Sequence, residues 1–91
     1  MTPPPTLVRL TLAHPEGLHA RVAAMWVRSL RGCEVEVTVS WDGRTVNGRS
    51  VIELLTLGAP HGSVLEVRIS GADAEAALVA LRQVVEPSDA D

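Results

Sequence analysis

Ninety-one residues with a formal net charge of -3 and eight basic side chains, all of them arginine, make a single domain and exclude a generic nucleic-acid binder, which carries a basic excess. Trp26 and Trp41 are the only aromatics, so stacking platforms for single strands are missing and the core has to be aliphatic. Cys33 is alone, which excludes an intramolecular disulfide and a cysteine-rich metal cluster.

Residues 1–5, Met-Thr-Pro-Pro-Pro, read as a short polyproline-like arm expected to be disordered. They have no signal-peptide character, and no apolar run reaches the roughly 20 residues of a membrane span, so the expected location is the cytoplasm. Val8, Leu10 and Leu12 alternate with Arg9 and Thr11, the period of a half-buried first strand. Pro15 and Gly17 then break regular structure and bend the chain through His14 to Leu18.

Ala23, Trp26, Val27 and Leu30 share one helical face, which predicts a helix from about Ala20 to about Arg31, stopped by Gly32. His19 stands at its N-terminus. First-turn N–H groups there lack helical partners, and with the macrodipole they attract an anion. A neutral imidazole is a nucleophile, so nucleophile and phosphate-sized anion site coincide. His14 and His61 have no such context and read as loop residues.

Val35, Val37, Val39 and Trp41 face one way and Glu34, Glu36, Thr38 and Ser40 the other, a second strand that Asp42-Gly43 turns into a short return strand, Arg44 to Asn47. Ser50-Val-Ile-Glu53 has the spacing of a capping box and opens a two-turn helix that ends at Leu57, before Gly58. That helix carries more apolar side chains than one face can bury, which suggests a contact surface. Leu65, Val67 and Ile69 mark a fourth strand, ended by Gly71. A last helix from Ala72 to Val85 presents Ala74, Ala77, Leu78, Leu81 and Val85 on one face, and Glu86 to Asp91 is an acidic, fraying tail. Strands with one polar face need one covered face, so the fold class is α+β: a four-stranded antiparallel sheet with three helices on its apolar side, order βαββαβα.

Gly17-Leu-His-Ala-Arg21, followed after a hairpin by Arg49-Ser-Val-Ile-Glu-Leu-Leu-Thr-Leu-Gly58, resembles the phosphocarrier protein HPr family of the phosphoenolpyruvate-dependent sugar phosphotransferase system. The likeness covers residues 6–86, leaving 87–91 as a tail, and implies the open-faced β-sandwich already reached from the pattern. It implies that His19 takes a phosphoryl group on a ring nitrogen from enzyme I and passes it to an enzyme IIA domain, as a stoichiometric carrier rather than a turnover catalyst. Arg21 then neighbours the phosphate, and the backbone N–H groups of Ala20 and Arg21 donate to it, with no metal or cofactor.

Ile52, Leu55 and Thr56 match positions through which the family docks its partners. Arg21, Ala24, Arg28 and Arg31 recur on the solvent side of the first helix, and with Arg49 form a basic patch suited to acidic proteins, although Arg28 and Arg31 also serve simply as helix-end charges. The expected chain is a monomer with protein partners, no nucleic acid and no membrane insertion. Ser50 stands where some members are modified by a dedicated carrier kinase, while its role as a helix cap is sufficient by itself. Val22 stands where the family commonly has proline. Alternatives are the carrier of a nitrogen-type or dihydroxyacetone-kinase relay, and a regulatory HPr-like binding module that docks without passing phosphate. A purely structural domain leaves His19, Arg21 and Ser50 unexplained.

Overall fold

In the computed structural model, which describes residues 3–87, the chain runs β1 (Thr6–Thr11), α1 (Ala20–Ser29), β2 (Glu36–Trp41), β3 (Arg44–Asn47), α2 (Val51–Leu57), β4 (Val64–Ser70) and α3 (Ala74–Val85). The strands form one sheet in the order β1-β4-β2-β3, each neighbouring pair antiparallel. Alternation decides its two faces. Val8, Val67, Val39 and Val46 stand opposite one another across all four strands on the covered side. The adjacent row, Arg9, Glu66, Ser40 and Thr45, lies on the open side, with an Arg9–Glu66 ion pair at 3.6 Å and a Ser40–Thr45 hydroxyl contact at 2.7 Å. The β2–β3 hairpin closes through Asp42 and Gly43, both at positive φ (53° and 79°), the primed turn whose twist matches that of the strands.

Three helices cover the valine row. Trp26 and Leu30 from the α1 segment, Leu54 and Leu57 from α2, and Ala77, Leu81 and Val85 from α3 are buried with the inner strand residues in one core. The Trp26 Nε1–H donates to the Gly48 carbonyl at 2.8 Å, so the largest core side chain is satisfied and fastens α1 to the β3–α2 connection. Trp41 packs against this core only half-buried. Among the described residues no helix is long and apolar enough to cross a membrane.

Element edges differ from the sequence expectation for identifiable reasons. α1 ends at Ser29 and not at Arg31, because the Leu30 and Arg31 N–H groups turn back to Val27 and Arg28 (3.1 Å each) and tighten the last turn. α3 starts at Ala74 and not at Ala72: the Asp73 carboxylate accepts the Glu34 N–H at 2.7 Å and ties the helix entrance to the segment before β2 in place of capping its own helix. Glu86, expected to fray, is clasped, accepting the Thr11 N–H at 2.6 Å through one carboxylate oxygen and meeting Arg82 at 3.3 Å through the other. Pro3 to Pro5 adopt no regular structure, while the remaining expectations for the arm (residues 1–2) and the tail (88–91) fall outside the described residues.

Candidate functional site

The turn ahead of α1 is closed by the Gly17 N–H donating to the His14 carbonyl at 3.0 Å, with Pro15 in the second position where its fixed φ is favoured. Gly17 has φ of +76°, and a Cβ there would lie 2.6 Å from the Ala59 carbonyl oxygen, so the position requires glycine twice over. Both ends of the turn are tied down. Ala13 N–H donates to Val85 O (2.8 Å) and the His14 Nε2 lies 2.6 Å from Val84 O, while Leu18 N–H donates to Ala59 O at 2.9 Å. His14, read from sequence as an idle loop residue, is thus the staple between this turn and α3. Buried Leu18, Val22 and Ala23 then seat the start of α1 in the core.

His19 is the N-cap of α1, in extended conformation (φ -97°, ψ -176°). Its carbonyl accepts the Ala23 N–H at 2.9 Å, and its Nδ1 accepts the Arg21 N–H at 3.2 Å. On the other edge of the ring, Nε2 lies 2.8 Å from the Glu16 carboxylate. A backbone N–H can only donate and a carboxylate can only accept, so the two contacts together describe a neutral ring with its proton on Nε2 and a bare lone pair on Nδ1. That lone pair faces the positive end of the helix dipole. Sequence reasoning found His19 but not its tie to Glu16, which depends on how the turn aims one side chain.

Arg21 is exposed at the second position of α1, and its guanidinium has no hydrogen bond or ion pair among the described residues. Its N–H, expected to donate to phosphate, is occupied by Nδ1 in this state. Ala20 precedes it at the first helical position. Val22, in place of the family's proline, is wholly buried and contributes its branched side chain to the core. Ala24 is half-buried, Arg28 exposed in the last turn of α1, and Arg31 exposed in the turn beyond it. Arg49 is partly committed: its guanidinium donates to the Cys33 and Val35 carbonyls at 3.2 Å each and braces the loop before β2.

On α2, Leu54 and Leu57 are buried while Ile52 (76% exposed) and Leu55 (38%) face outward, beside exposed Thr56. The Thr56 hydroxyl donates to Glu53 O within the helix (2.6 Å) and its carbonyl accepts Arg44 (2.6 Å). Ser50 caps α2, accepting the Glu53 N–H at 3.2 Å. The other half of the expected capping box is not formed, because the Glu53 carboxylate accepts the Asn47 N–H at 2.9 Å and binds the end of β3 to the helix. Among the described residues no cluster of three or more His, Cys, Asp or Glu side chains is placed to hold a metal ion.

An open-faced sandwich that presents a histidine lone pair at a helix N-terminus brings a nucleophile and an anion-attracting site together. Residues 8–87 match the family model described as the phosphorylation site of the PTS HPr component, and the chain belongs to the HPr family of the phosphotransferase system. It is 38% identical over 77 residues to the phosphocarrier protein HPr of Xylella fastidiosa, spanning 85% of this chain and 86% of that one. A multiphosphoryl transfer protein of Xanthomonas campestris is 37% identical over 76 residues, 84% of this chain but 9% of that longer protein. Among solved structures, a phosphocarrier protein HPr from Bacillus anthracis is similar with a TM-score of 0.82 at 32% identity, covering 89% of this chain and 96% of that one.

Proposed function

We propose that this chain is a cytoplasmic, monomeric phosphocarrier that accepts a phosphoryl group on Nδ1 of His19 from phosphorylated enzyme I and passes it to an enzyme IIA domain for sugar uptake. One observation carries this reading: the unprotonated nitrogen of His19 stands at the N-terminus of α1, with the Arg21 N–H 3.2 Å away. When the lone pair becomes an N–P bond, that N–H is released from nitrogen and donates to a phosphate oxygen instead, with Ala20 beside it. The Arg21 guanidinium pairs with the remaining charge. One arginine and a helix end stabilise the phosphohistidine modestly, which suits a group that must leave again.

Docking is assigned to the apolar pair Ile52 and Leu55 with Thr56, rimmed by Ala24, Arg28, Arg31 and the carbonyl-bound Arg49. An apolar centre with a cationic rim favours fast encounter with acidic partners and fast release.

Phosphoenolpyruvate and enzyme I should load one phosphoryl group, acid-labile and alkali-stable, detected as a mass increment on the intact protein. His19→Ala should abolish it, and His14→Ala and His61→Ala should not. Labelling that survives loss of His19 moves the site elsewhere.

A further inference from the structure

Glu16 occupies the third position of the His14–Gly17 turn, and that turn is anchored at both ends, by His14 to Val84 of α3 and by Leu18 to Ala59. Its carboxylate is therefore presented from a fixed backbone to the Nε2 edge of His19, at 2.8 Å. The Arg21 N–H on the opposite edge, at a longer 3.2 Å, favours the same tautomer without enforcing it alone. Two independent partners thus converge on one protonation pattern of one ring.

We propose that Glu16 is a positioning residue for phosphoryl acceptance: its carboxylate holds the ring proton on Nε2 and so keeps the Nδ1 lone pair at the amino end of α1. This rests on the transfer reading above and adds a group that touches neither phosphorus nor the donor. As Nδ1 attacks, the N–P bond forms, the bond from phosphorus to the donor breaks, and its electron pair leaves with the donor. The Nε2 proton stays in place, the ring becomes a phosphoimidazolium, and the Glu16 carboxylate lies against that new positive charge. On delivery, the acceptor's nucleophile attacks phosphorus, the N–P pair returns to Nδ1, and the ring is neutral again with its proton unmoved. Nε2 and Nδ1 lie on opposite edges of the imidazole, so the carboxylate acts on the ring from the side away from the arriving anion.

The pair is partly solvated, with the His19 side chain 30% and the Glu16 side chain 72% exposed, so its influence is moderate. Nitrogen NMR of the ¹⁵N-labelled full chain at alkaline pH reads the tautomer directly. Wild type should show a protonated Nε2 and a bare Nδ1, and Glu16→Ala a mixture of the two tautomers. Transfer from phosphorylated enzyme I to Glu16→Ala should slow by about two- to five-fold, the scale of one exposed ion pair, with the melting temperature unchanged. Glu16→Gln, whose amide oxygen still accepts from Nε2, should restore the tautomer and most of the rate, which a merely structural role does not explain. A wild-type nitrogen pattern in Glu16→Ala, or a changed pattern with an unchanged rate, overturns the proposal. If the wild type accepts no phosphoryl group at all, the transfer reading fails and acceptance with it, while the nitrogen shifts separately decide whether Glu16 holds the proton.

Discussion

At the scale of single residues, neighbours two positions apart do different work. His19 offers a nitrogen to the α1 N-terminus, whereas Arg21 contributes a backbone N–H and an unengaged guanidinium, the group proposed above to pair with phosphate. Because that side chain is exposed and bonded to nothing among the described residues, its loss should be felt in transfer and not in folding. Arg21→Ala should slow transfer from enzyme I about ten-fold, the equivalent of one charge-assisted hydrogen bond of ~1.5 kcal/mol. Its melting temperature should stay within about 4 °C of wild type, the shift expected of an exposed substitution. Rapid-quench transfer assays beside thermal unfolding check both. Val22, one position on, is the reverse case: its side chain is wholly buried, so this departure from the family pattern is filled by packing.

At the scale of elements, α2 shows what a cap alone is worth. Ser50 accepts one first-turn N–H, and no return bond from Glu53 reinforces it. Ser50→Ala should therefore cost about 1 kcal/mol, read as a lower urea midpoint at constant slope. A loss much larger than that makes the hydroxyl part of a wider network with Asn47.

The order and identity of all seven elements were legible because each carries its own period and its own breakers, Gly32, Asp42-Gly43, Gly58 and Gly71 among them. The elements' edges were less so, since they are set by partners far along the chain. Asp73 abandons its own helix for the N–H of Glu34, and Glu86 is held by Thr11. At the site, local pattern placed His19 at a helix N-terminus, and no local pattern reveals that His14 reaches a carbonyl 70 residues away.

At the scale of the molecule, the end of α3 supports the turn that presents His19, through Ala13, His14 and Thr11. Deleting everything after Gln83 removes Val84, Glu86 and the wholly buried Val85. Burial of Val85 alone corresponds to about 1.5–3 kcal/mol, so the shortened chain should unfold at clearly lower urea. Its phosphoryl acceptance should fall even where the fold persists, since the turn loses two of its fastenings and the end of β1 its clasp to Glu86. Full acceptance by a folded truncated chain would show that α3 leaves the site untouched.

Among the described residues β1 pairs with no strand except β4, which also fills the place between β1 and β2. Synthesis on the ribosome delivers these parts in the opposite order from their need: His19 emerges before the strand that gives β1 its neighbour and before the helix end that steadies the turn. A nascent chain that has not yet reached β4 and α3 therefore carries His19 without the scaffold that aims it.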